Sequence, residues 1–203
     1  MKLRNTCAGR LGIVLTVGLV AGALVVPSSA LASKFGAKLT TAGPVGSTPP
    51  HKCVPVAGGC TRVGVSYSAT GAAGGNIQAP EKGKIKRIRL LAGAPGNFRF
   101  FLTKLKNLDL TTGSSLAKAK RKGPRLEYEG NGFTSKPVER FQVGVPVKRG
   151  EFLAIKARKT STLDCRPAST HQIVYQPPLG LGGGFVSSSV SDTCELLIQA
   201  VIK

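Results

Sequence analysis

The stretch RFQVGVPVKRGEFLAIKA, residues 140–157, sets the fold class. Phe141, Val143, Val145 and Val147 alternate strictly with Arg140, Gln142, Gly144 and Pro146, the two-residue period of a strand with one face buried and the other in water. Lys148-Arg149-Gly150-Glu151 supplies a turn, and Leu153, Ile155 and Ala157 resume the alternation.

The same grammar extends outward. Upstream, Phe98, Phe100 and Leu102 share one face of a run over Phe98–Leu105. Gly93-Ala94-Pro95-Gly96-Asn97 reads as the hairpin turn joining it to Lys84–Leu91, where Ile88 and Leu90 alternate with Arg87 and Arg89. Thr61–Ser68 places Val63, Val65 and Tyr67 on one face and stops at the glycines of 71–75, and Leu196–Ile202 is a last β-type run. No stretch of comparable length carries a capped helical stripe. With 26 glycines and 13 prolines in 203 residues, the expectation is an all-β chain, a single β-sandwich or jelly roll over residues 53–203. Residues 33–52 hold Gly43-Pro44, Gly46-Ser47 and Pro49-Pro50 without apolar period, and read as a flexible leader to that domain.

The N-terminus has the three parts of a secretory signal. Lys2, Arg4 and Arg10 precede an uncharged apolar run from Leu11 to Val26, and Pro27-Ser28-Ser29 leads into Ala30-Leu31-Ala32, a small-x-small cleavage site. Residues 1–32 are therefore expected to be removed, with Ser33 as the new terminus, Cys7 lost with the peptide and no membrane span left. The competing reading is a retained anchor, since a spanning helix needs about 20 apolar residues; Gly12, Gly18 and Gly22 weigh against it.

Cys53, Cys60, Cys165 and Cys194 would remain. An even number of cysteines in an exported chain points to disulfides. Four cysteines allow three connectivities, and the sequence neighbours Cys53–Cys60, around Gly58-Gly59, and Cys165–Cys194 are the favoured pairs. Zinc ligands normally come in pairs two to four residues apart, which these spacings do not match, so no metal is expected.

Charge is the other strong signal. The chain carries 29 Lys and Arg against nine Asp and Glu, net +20, and loss of Lys2, Arg4 and Arg10 with the signal leaves +17. Such a field draws polyanions, while a scattered positive surface can equally serve solubility alone. The basic residues gather as Lys84, Lys86, Arg87 and Arg89 with Arg99 on the next run, as Lys118, Lys120, Arg121, Lys122 and Arg125 in a KAKRKGPR segment read as a mobile loop, and as Lys156, Arg158 and Lys159. Without a reading motif and with few aromatic residues, sequence-specific nucleic-acid binding is not expected; the expected partners are anionic polymers or a cell-envelope surface.

The segment VPVKRGEFLAI, Val145–Ile155, resembles the hairpin late in many jelly-roll and carbohydrate-binding β-sandwich domains. Together with Ala79-Pro80 before Gly83–Leu90, Pro177-Pro178-Leu179 and the closing ELLIQAVI, it is similar to small secreted all-β proteins of unknown function from actinobacteria, over about residues 79–202. The resemblance implies the fold and brings no site residues.

Catalytic constellations are not found. His171 and Asp164 lack a nucleophile elbow, and His51 lies in the Pro-rich leader. Glu127 and Glu129 share a strand face as glycosidase carboxylates would, yet their basic neighbours favour surface ion pairs. Gly71, Gly74 and Gly75, like Leu179–Gly184, lack the Gly-Lys-Ser/Thr ending of a phosphate loop. No catalytic residue and no cofactor are expected. The leading reading is a non-enzymatic binding or structural domain with a basic surface, the alternatives being a carbohydrate-binding module and a secreted hydrolase.

Overall fold

The computed structural model describes residues 32–39, 59–65, 76–92, 95–130, 138–157 and 165–203, and the side chains of all of these except Ala157, 165–171, Thr193 and Cys194. Regular structure among them is entirely strand: β1 (Ser33–Gly36), β2 (Cys60–Gly64), β3 (Gly83–Leu90), β4 (Gly96–Asp109), β5 (Ser114–Tyr128), β6 (Glu139–Val147), β7 (Phe152–Ala157), β8 (Cys165–Tyr175), β9 (Val186–Ser187), β10 (Val190–Leu196) and β11 (Ile198–Ile202). The strands form two antiparallel sheets, β1-β11-β3-β6 and β10-β8-β2-β7-β4-β5-β9. The all-β expectation holds, and two curled sheets sharing a core agree with a sandwich.

That core is made by the alternating residues of both sheets. Phe35, Ile85, Ile88, Ile198 and Ile202 from the four-stranded sheet meet Phe98, Phe100, Leu102, Leu153 and Ile155 from the seven-stranded one. Removing a Leu, Ile or Phe side chain from water contributes about 1.5–3 kcal/mol each. The shared face predicted for Phe98, Phe100 and Leu102 is therefore the core face.

The seven-stranded sheet also closes on a second cluster, which includes Val63, Phe101, Phe152, Ala154, Ile173, Tyr175 and Leu179 on its other side. Residues 188 and 189 complete the roll: Ser188 N donates to Ser115 O on β5 at 2.9 Å, and Ser189 N donates to Val174 O on β8 at 2.8 Å. Inside, the Ser115 and Tyr175 hydroxyls are hydrogen-bonded. Burial pushes the Tyr175 phenol up to about 12, the Ser115 hydrogen bond opposing it in part.

Several local expectations change. The strands on either side of the expected turns at 93–97 and 148–151 are not hairpin partners: β3 pairs with β11 and β6, β4 with β5 and β7, and β7 with β2 and β4, so β3 and β4, like β6 and β7, belong to different sheets. A turn between two amphipathic strands is compatible with either outcome, because each strand needs only one apolar face covered. The C-terminal run likewise divides, β10 in one sheet and β11 in the other.

Residues 33–36, read as leader, form β1 on the edge beside β11. Phe35 is fully buried, and Gly36 has φ +100°, where a Cβ would overlap the Ile198 carbonyl oxygen. Only glycine meets both demands without strain.

Cys60 is buried and is not a free thiol; Cys53 lies outside the described residues. Cys165 pairs with Leu196 and Cys194 with Pro167, which puts the second cysteine pair on neighbouring strands but two residues out of direct register. Such diagonal positions are about 7–8 Å apart, just beyond the usual Cα range of a disulfide, about 4.4–6.8 Å.

Candidate anion-binding surface

Because Ile85, Ile88, Leu90, Ile198, Ala200 and Ile202 point into the core, alternate residues lie on the outer face, where Lys84 and Lys86 are exposed, Arg87 and Arg89 half-buried, and Gln199 and Val201 buried. On the outer side of the four-stranded sheet the register stacks cations in rows. Arg89 lies opposite both Gln199 and Arg140, Arg87 opposite Val201 and Gln142, and Lys34 opposite Val201. Lys84 and Lys203 exchange backbone hydrogen bonds at 3.2 and 3.1 Å, and Lys86 is exposed at a shift in register.

That shift decides the face. Against β11, β3 carries one extra residue at Lys86, so Ile85 and Ile88, three apart, both point inward. An unbroken alternation would have put Ile85 beside Arg87 and Arg89, in water.

Lys34, Lys84, Lys86, Arg87, Arg89, Arg140 and Lys203 thus share a surface on which the described strands place no carboxylate. Glu139 begins β6, its carboxylate accepting from Glu129 N and Gly130 N at 3.1 and 3.0 Å. The Arg89 guanidinium is held below its ordinary value by partial burial first, then by Arg140 and Arg87. Arg89 Nη1 donates to Gln199 Oε1 at 2.6 Å, and Gln199 Nε2 donates to Ala37 O at 2.8 Å.

Arg99 does not join this face. It lies on the seven-stranded sheet, opposite Arg125 on one side and Lys156 on the other, and points away from the four-stranded sheet. Arg125 Nε donates to Asn97 Oδ1 at 3.0 Å. The basic residues are accordingly divided between opposite sides of the molecule.

The KAKRKGPR segment is not a loop: residues 118–125 lie within the 15-residue strand β5. Gly123 and Pro124 fall where the β4 register shifts between Arg99 and Phe101, a bulge in which a missing N–H is tolerated. Arg121 is spent on the buried Glu151 carboxylate, which also accepts from Lys148 N at 2.8 Å. On its other side β5 meets β9 only at Leu116 and Ala117 and Leu181 at Ala119, so from Lys120 to Arg125 that edge is open among the described residues. Lysine and proline at an open edge hinder pairing with another chain, which accounts for Lys120, Lys122 and Pro124 without a ligand. Lys118 is half-buried opposite Lys104, while Arg158 and Lys159 lie outside the described residues.

The other chemical candidates stay dispersed. His171 falls within β8, and His51, Asp164 and the glycines of 71–75 lie outside the described residues. Glu127 and Glu129 are exposed beside a shallow depression that also involves Pro95, Gly96, Asn97 and Tyr128. Residues 180–184 form an exposed loop. Among the described residues no group of three His, Cys, Asp or Glu could hold a metal ion. Comparison with protein families, curated proteins and solved structures finds no match.

Arg140, Lys34 and Lys203 were missed in the sequence. Each sits alone in its own run, and only the pairing of β6, β1 and β11 around β3 assembles them.

Proposed function

We propose that this chain is a secreted or cell-surface, non-enzymatic binding domain that holds anionic envelope or extracellular polymers on the outer face of its four-stranded sheet. The supporting observation is the set of cations on β1, β3 and β6 and just after β11, namely Lys34, Lys84, Lys86, Arg87, Arg89, Arg140 and Lys203. Arginines placed directly opposite each other, as Arg89 and Arg140 are, cost stability through repulsion. Folding gains nothing from that arrangement, and a polyanion would offset it. The carbohydrate alternative is weaker, because the described tyrosines, Tyr128 and Tyr175, are buried and offer no exposed ring for a sugar to stack on.

The test is retention on heparin, teichoic acid and a neutral polysaccharide as salt is raised. Counterion release makes the logarithm of affinity fall linearly with that of salt. The joint replacement Lys84→Gln, Arg87→Gln, Arg89→Gln, Arg140→Gln is expected to reduce that slope by roughly one unit per contacting cation. Lys120→Gln with Lys122→Gln, on the β5 edge, should leave it unchanged. A flattened slope in the edge variant alone moves the site to β5, and salt-insensitive retention on the neutral polymer would favour sugar binding.

Export and disulfides belong to the same reading. Cleavage after Ala32 would leave β1 whole, since that strand begins at Ser33. Sequencing of the exported protein is expected to start at Ser33, and non-reducing mass mapping to join Cys53 to Cys60. Retention of residues 1–32 in membranes, or four free thiols in exported protein, would overturn these two expectations respectively.

A further inference from the structure

Resting on the polyanion reading, we infer that Arg87, Arg89 and Arg140 form a clasp for one tetrahedral oxyanion, a phosphoryl or sulfate group, and so select phosphorylated or sulfated ligands over carboxylated ones. Arg89 and Arg140 are direct cross-strand partners, and Arg87 precedes Arg89 by two residues on the same face. Neighbouring strands are about 4.8 Å apart and alternate residues about 6.6 Å, so the three side chains leave the sheet within one small area. Arg87 Nε is buried and has no hydrogen-bond partner. Arg140 and Arg87 both repel the Arg89 charge.

The support beneath the clasp is neutral. Gln199 is buried, fixed by the Ala37 carbonyl, and accepts from Arg89 Nη1. A carboxylate in that place would orient Arg89 equally well but cancel its charge; an amide orients it and leaves the charge for a ligand. One fork can saturate a planar carboxylate, which presents two oxygens. A tetrahedral oxyanion presents three or four oxygens out of one plane, and can be shared by several forks.

The test has two arms. In the first, the arginine Nε–Hε signals of the whole protein are followed by NMR during titration with inorganic phosphate, sulfate and acetate at matched ionic strength. Saturable shifts of Arg87, Arg89 and Arg140 are expected with phosphate and sulfate, with acetate weaker by about tenfold or more, ~1.4 kcal/mol. Absence of saturable shifts, or equal affinity for acetate, overturns the clasp. In the second arm, elution from phosphate-bearing and carboxymethyl-bearing matrices of equal charge density is compared with that of the variant Arg87→Lys, Arg89→Lys, Arg140→Lys, which keeps net charge but removes the forks. The native protein should elute from the phosphate matrix at higher salt, and the lysine variant at equal salt from both. A lysine variant that keeps the preference also overturns the clasp. Shifts with inorganic phosphate without a matrix preference assign it to a free ion rather than a polymer. No retention on any anionic matrix, with the NMR shifts present, rejects the polymer reading while leaving the oxyanion site standing.

Discussion

Gly123→Ala is expected to lower stability by about 1–3 kcal/mol or somewhat more, the range for adding atoms to a packed core. A Cβ at position 123 would come within 2.5 Å of Phe100 Cδ1 and closer still to Cε1 and Cζ. The ring has little room to retreat, because Phe100 is fully buried in the cluster shared by the two sheets. For a domain of this size each kcal/mol moves Tm by about 2–4 °C, so thermal unfolding resolves the effect. Phe100→Leu, which removes ring atoms, should cost stability alone yet rescue part of the loss in the Gly123→Ala background. The double-mutant cycle then gives a favourable coupling. Additive losses, or Gly123→Ala within about 0.5 kcal/mol of the native protein, an ordinary surface effect, would show that the β5 bulge relaxes freely.

The same glycine shows where sequence reading stops. Gly123-Pro124 is a turn signal when the chain is read locally, and with four cations before it the segment looks like a basic loop. It is a bulged strand because Phe100, more than twenty residues earlier, needs the space that a side chain would fill. The alternation at Phe141–Val147 was legible because each residue reports its own face, independently of its partner strand. Sheet membership was not: the turns at 93–97 and 148–151 fit a hairpin or a crossover equally well, and pairing is decided by long-range contacts such as β11 inserting between β1 and β3. Ile85 illustrates the limit on a finer scale, its inward direction following from the extra residue at Lys86 and not from any local period.

The candidate surface was legible only on β3. Lys84, Lys86, Arg87 and Arg89 are adjacent in sequence, so their clustering survives folding; Arg99, adjacent by apparent hairpin logic, departs because β4 belongs to the other sheet. Arg140 was visible only as the polar half of an alternation, the Gln199 support as an ordinary polar residue of the last strand. Clustering along the chain is a poor guide to clustering in space when successive strands alternate between sheets.

Arg62→Met is expected to cost about 3–5 kcal/mol, the penalty for stripping one partner from a buried ion pair. Arg62 Nη1 lies 3.6 Å from Asp192 Oδ2, and the two side chains are 6% and 3% exposed. Gln172, fully buried, donates Nε2 to the same carboxylate oxygen at 3.3 Å. Burial holds the Arg62 guanidinium below its ordinary value, and the attraction of Asp192 only partly opposes it. The direction of that shift says that desolvation outweighs pairing for the arginine. Buried pairs of this kind contribute little net stability, while each half depends on the other. Replacing both, Arg62→Met with Asp192→Leu, should consequently recover most of the loss and come within about 1 kcal/mol of the native protein or exceed it, as buried pairs exchanged for apolar side chains often do. Urea unfolding of the two single variants and the double separates the cases. If Arg62→Met alone is nearly neutral, the pair is not closed to water as its burial indicates; if the double variant loses as much as the two single variants summed, Arg62 and Asp192 are uncoupled and each acts through other contacts.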